Sequence, residues 1–194
     1  MALAVLGAAL ATVAGISDAA DDGPPPELLG HRMPDGARAR PFVLSDQEGH
    51  RFNLLETRGR VVAMTFIHSR CTSTCPVTLQ TMRGALDQLG GDRAEVDMLA
   101  VSVDPEADTA RSVRRFLREQ RVDSVVRYLT GSRPALERVW KSYGIRPQGN
   151  GQEDHSAFVL LVDRRGFMRV GEPASLLTPE TLANDLRILV NEPV

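Results

Sequence analysis

An α/β fold is predicted: a central mixed sheet covered by helices on both faces, led by an N-terminal β-hairpin. VVAMTFIH (residues 61–68) is an unbroken apolar run rich in β-branched residues, the pattern of a strand buried on both faces, and VDMLAVSVD (residues 96–104) repeats it. Apolar residues at helical spacing alternate with these runs. With 194 residues, 42% hydrophobic and 25% charged, the chain suits one domain with a proper core and a tail.

The tail comes first. Ala2 to Ile16 is almost uninterruptedly apolar, and no charged side chain precedes Asp18. A membrane-spanning helix needs about 20 apolar residues, so the run is short for that purpose. It suits the hydrophobic part of an export signal over residues 1–19, with Ser17 and Ala19 as a small-x-small site cleaved after Ala19. No Lys or Arg precedes it; with a true start upstream, an uncleaved N-terminal membrane anchor is the alternative. Either reading places the domain outside the cytoplasm, in the periplasm or tethered to the membrane facing out. Residues 20–39, rich in Pro and Gly, read as a linker with Pro24 to Pro26 favouring an extended spacer, and the folded domain is expected over 40–194.

Within the domain, PFVLSDQEGHRF has strand residues on both sides of a turn and predicts the hairpin. The first buried strand follows, then the cysteine segment, then a helix carrying Leu79, Met82, Leu86 and Leu89 and stopped by Gly90 and Gly91. After the second buried strand, Asp108 caps a helix reaching about Gln120, with Val113, Phe116 and Leu117 inward. VVRYLTG is a strand. Ser132 and Pro134 open a helix with Leu136, Val139, Trp140 and Tyr143 on one face. AFVLLVDRRGFMRVGE is a hairpin turning at Asp163 to Gly166, and Thr178 and Pro179 open a last helix burying Leu182, Leu186 and Leu189. Trp140, Tyr143, Met82 and Phe116 are core residues at these spacings rather than a cofactor box. A net charge of -2 gives no reason to expect nucleic acid or an anionic membrane as partner.

The only cysteines, Cys71 and Cys75, lie in FIHSRCTSTCPVTL, between the first buried strand and its helix. A structural staple, a redox switch and a metal site all fit two sulfurs at this spacing. As a staple the pair is weak: closing about five residues contributes roughly 2 kcal/mol, against nearly 5 for a hundred-residue loop. Its position favours chemistry, because strand carboxyl ends in α/β sheets bind ligands and a helix N-terminus stabilises a thiolate. With both residues in the first helical turn, i and i+4 share a face, and Pro76 there costs no helical hydrogen bond. A metal would need a further ligand, and imidazole is the usual companion. Of four histidines, His31 in the linker and His50 in the hairpin turn read as solvated. His68 is adjacent to the cysteines in sequence but of unknown direction, and His155 in EDHSAFVLLVD stands at the mouth of a later strand.

CTSTCP following VVAMTFIHSR, SVDPEADT, LTGSRPALERVWKSYGI and DHSAFVLLVDRRG together resemble the Sco/SenC family of thioredoxin-like copper proteins, from about Pro41 to the C-terminus. The combination of CxxxCP, SVDPxxDT and DHS is specific in order and spacing. The resemblance implies a thioredoxin-like fold in which Cys71, Cys75 and His155 bind copper, as Cu(I) or Cu(II). It implies a metallochaperone that delivers copper to, or reduces the cysteines of, the dinuclear copper centre of cytochrome c oxidase subunit II or another cuproprotein. A copper donor protein and a thiol reductant would be its other partners. Soft thiolates select Cu(I) and imidazole suits both oxidation states, although zinc accepts the same donors. His68 is a lesser candidate ligand, otherwise a neighbour shaping the site's polarity, and Asp104 and Asp154 are candidate groups that orient the imidazole or assist docking, although each also suits a turn or cap. Thr72-Ser73-Thr74 stands between the cysteines where many relatives carry proline and an acidic residue, and His68 stands where an aromatic or small residue is expected.

The rival function is a metal-independent thiol-disulfide oxidoreductase of the thioredoxin superfamily working through Cys71 and Cys75. Typical thioredoxins carry CxxC after Trp and a cis-proline before the facing strand. Here His155-Ser156 precedes that strand, and no proline occurs between Pro147 and Pro173. The PxxxTxxC pattern of a peroxiredoxin is also absent.

Overall fold

The structure, a computed structural model, describes residues 27–146 and 158–193; the predicted signal or anchor, Asp154 and His155 lie outside them. The central sheet has five strands in the order β5-β4-β3-β6-β7. They are β3 (Val61–Ile67), β4 (Val96–Ser102), β5 (Val126–Leu129), β6 (Phe158–Val162) and β7 (Met168–Pro173). β3, β4 and β5 run parallel, β6 pairs antiparallel with β3 and β7 antiparallel with β6, so the sheet is mixed. The short hairpin β1 (Val43–Ser45) and β2 (Arg51–Asn53) stands apart and touches the sheet edge through reciprocal Ser45–Thr130 backbone bonds of 2.9 and 2.7 Å.

Alternation along the buried strands feeds two cores. Val61, Ala63 and Ile67 of β3 face one side, with α1 (Thr74–Asp87), α2 (Ala110–Glu119) and α4 (Pro179–Asn191). Val62, Met64 and Phe66 face the other, with α3 (Arg133–Tyr143) and the hairpin residues Leu44 and Phe52. Met82, Phe116 and Trp140 are buried, as core residues should be; the Trp140 indole N–H donates to the Ser102 carbonyl at 2.9 Å. The Tyr143 hydroxyl donates to the Arg40 carbonyl at 2.8 Å.

Two boundaries differ from the sequence reading. α2 is capped by Thr109, whose side chain accepts from the Ser112 N–H, and not by Asp108, which is drawn inward. The stretch expected as linker up to residue 39 is packed from Leu28 onward. It lies along β7, with Met33 N–H donating to the Arg169 carbonyl and Gly171 N–H to the His31 carbonyl, at 3.0 and 2.9 Å. The physical reason is the edge: β7 would otherwise present unpaired backbone groups, and covering them satisfies both chains. Leu28 and Ala39 are buried at its ends. Gly30 is needed for the close approach, since a Cβ there would come within 2.5 Å of Val170 Cγ1. His31 is largely exposed yet pairs through Nδ1 with the Glu172 carboxylate at 2.7 Å. Among the described residues no helix is long and apolar enough to cross a membrane.

Candidate metal centre

β3 ends at Ile67, and the backbone beyond it is pinned from several sides. The Ile67 carbonyl accepts from the Val103 N–H, just past β4, and from the Tyr128 hydroxyl, at 2.9 and 3.1 Å. Ser69 N–H donates to Asp108 Oδ1 at 2.8 Å, and Cys71 N–H turns back to the His68 carbonyl at 3.2 Å. The segment from His68 to Cys71 is therefore a fixed turn between the strand and α1.

That turn gathers three donors. A ring nitrogen of His68 and the sulfurs of Cys71 and Cys75 all lie within 4.8 Å of one another. Cys75 is in the first turn of α1, but Cys71 precedes the helix, so the expected arrangement of both in one helical turn is corrected. Cys71 instead approaches the helix start from outside, where its sulfur accepts from the Cys75 N–H at 3.3 Å. A free amide of the first turn is thereby satisfied by sulfur. Pro76, the third helical residue, has no N–H to leave unpaired.

The two thiols are unequal. Burial is the largest influence on Cys71 and acts upward, but hydrogen bonds from Cys75 and Ser73 together outweigh it and hold the thiol below its ordinary range. Burial pushes the Cys75 thiol far up, and its hydrogen bond to Cys71 adds to that. Both are free cysteines. Cys71 borders a groove of about 540 Å³ lined also by Arg70, Thr72, Pro76, Arg115 and Phe116. Cys75 is 6% exposed.

Behind the turn lies a buried carboxylate. Asp108 accepts from Ser69 N–H, from the Ser102 hydroxyl at 2.6 Å and from the Tyr128 hydroxyl at 2.7 Å. It holds the ends of three strands together directly under the cysteine turn. The sequence reading gave Asp108 only a capping role; the available signal was that Ser102 and Tyr128, polar groups in apolar strands, need a buried acceptor. Asp104 stays outside the donor cluster, paired with Arg70 and accepting from the Ala107 N–H.

The donor set fits a soft metal ion. Two bonds of about 2.3 Å to one ion span at most about 4.6 Å, so the three donors already stand near the separation that one ion requires. Two sulfurs and an imidazole suit copper in both common oxidation states.

The comparisons decide the family. A model described as SCO1/SenC matches residues 32–191, most of the chain. The protein belongs to the SCO1/SenC family. This SCO1/SenC chain is 25% identical over 134 residues to an SCO2-like protein of Rickettsia prowazekii, covering 65% of its own length and 64% of that protein. It is 26% identical over 132 residues to an SCO1 homologue of Bacillus subtilis, covering 65% and 68%. The match thus spans a little under two thirds of the Rickettsia relative. Among solved structures, ScoI of Bradyrhizobium japonicum with copper bound is 29% identical, with TM-score 0.68, covering 79% of this chain and 99% of that one. Apo Sco1 of Thermus thermophilus, 24% identical with TM-score 0.68 over 86% of this chain and 99% of that one, shares the fold. The fold is thus the thioredoxin-like one that the sequence motifs imply.

Proposed function

We propose that this protein is a copper-binding metallochaperone, exported or tethered outside the cytoplasm, that serves assembly of the dinuclear copper centre of cytochrome c oxidase subunit II. The observation that carries the reading is the convergence of His68, Cys71 and Cys75 within 4.8 Å at a strand–helix junction. Family membership and the copper-bound relative at 29% identity support copper over zinc. Cys71 and Cys75 would hold the metal, with His155 as the family-implied third ligand. Bound copper would be the cargo; the protein contributes soft donors, a fixed turn and an open groove beside Cys71. Asp108 acts through the backbone it holds.

Titrating the reduced protein with copper tests the reading. About one equivalent per chain should be retained, and Cys71→Ser should abolish tight retention. A wild type that retains none overturns the proposal.

The inequality of the thiols favours a second activity at the same site, reduction of a recipient's disulfide. The Cys71 thiolate attacks one sulfur of that bond, forming a mixed disulfide and releasing the other sulfur as a thiolate that takes up a proton. Cys75, losing its proton, attacks Cys71 and expels the second recipient thiolate; Cys71 and Cys75 end oxidised as a disulfide and the recipient gains two thiols. Rapid reduction of a dithiol-loop peptide in its disulfide form would favour electrons as the delivered cargo; loading of the reduced peptide with copper would favour the metal.

A further inference from the structure

We infer that His68 is a copper ligand in this chain, a second imidazole beside the one that the family motif supplies; the inference rests on the copper reading above. Its ring meets three conditions. One nitrogen lies within 4.8 Å of both cysteine sulfurs. Its Nδ1 is buried with no hydrogen-bond partner among the described residues. A buried, unpaired ring nitrogen is destabilising, and a metal bond made by either ring nitrogen gives the imidazole a fixed role there. Finally, the backbone is fixed on both sides: Val103 and Tyr128 hold the Ile67 carbonyl, Asp108 holds Ser69 N–H, and Cys71 N–H holds the His68 carbonyl. The ring is thus preorganised beside the sulfurs rather than brought there by a loop movement. Thr72-Ser73-Thr74 adds no charged donor between the cysteines, which leaves the imidazole as the third donor of the described cluster.

The consequence is that copper stays bound when His155 is removed. The test compares wild type, His68→Phe, His68→Gln, His155→Ala and the His68→Phe/His155→Ala double variant, each reduced and confirmed folded by far-UV circular dichroism. Cu(I) affinity is read by competition with a colorimetric chelator, and nitrogen couplings to Cu(II) by pulsed electron paramagnetic resonance. His155→Ala should keep about one copper per chain and one coupled imidazole. Both His68 variants should lose at least about tenfold in affinity and one imidazole coupling, and the double variant should lose the coupling altogether. Unchanged affinity and couplings in His68→Phe and His68→Gln, with the wild type still binding copper, overturn the His68 assignment alone. A wild type that binds no copper overturns the copper reading and this inference with it.

Discussion

Cys71 and Cys75 sit four residues apart in very different surroundings. Because hydrogen bonds lower the Cys71 thiol while burial raises Cys75, Cys71 ionises first as pH rises. Iodoacetamide should therefore label Cys71 at a pH below the ordinary cysteine range and Cys75 only far above it; mass spectrometry of the modified peptides checks this, and equal rates would contradict the inequality. Asp108 offers a second residue-scale prediction. Asp108→Ala strands the Ser69 N–H and the Ser102 and Tyr128 hydroxyls. At about 1–3 kcal/mol for each donor that cannot re-pair, urea unfolding should show a loss of at least about 3 kcal/mol. Asp108→Asn, which keeps an acceptor oxygen, should lose less.

At the scale of elements, the start of α1 matters more for chemistry than for stability. The cysteine pair encloses a short segment, so Cys71→Ser with Cys75→Ser should cost less than about 2 kcal/mol by thermal unfolding; a collapsed fold would restore the staple reading. α4 is a contrasting case, where the cap itself stabilises. The Thr178 side chain accepts from the Thr181 N–H and the Thr181 hydroxyl answers to the Thr178 N–H. Thr178→Ala should cost about 1 kcal/mol in urea unfolding and leave copper binding unchanged, since α4 contributes none of the three donors.

For the whole molecule, the N-terminal stretch belongs to the domain. Leu29 and Gly30 N–H groups donate to the buried Asp185 carboxylate at 2.7 and 3.0 Å, and the following residues pair with β7. A variant beginning at Arg40 removes both of these donors and the buried Leu28 and exposes the β7 edge. It should lose about 3 kcal/mol, or roughly 6–12 °C in Tm. Unchanged melting would mean that the packed strap contributes nothing.

The buried strands, the four helices with their apolar faces and the closing hairpin were legible because each rests on local periodicity and turn chemistry. The cysteine site was legible as two sulfurs at a strand–helix junction, and the family from the order of its motifs. The direction of His68 was not. Alternation extended past Ile67 would send the next side chain to the opposite face from Cys75, but the strand stops there and a turn begins, so the period no longer applies. Nor could periodicity reveal that Asp108 turns inward to join three segments, or that residues from Leu28 cover the β7 edge. Local pattern determines which residues form a strand or a helix. Which donors and acceptors meet across distant segments depends on how those elements close around one another, and only the folded chain supplies that closure.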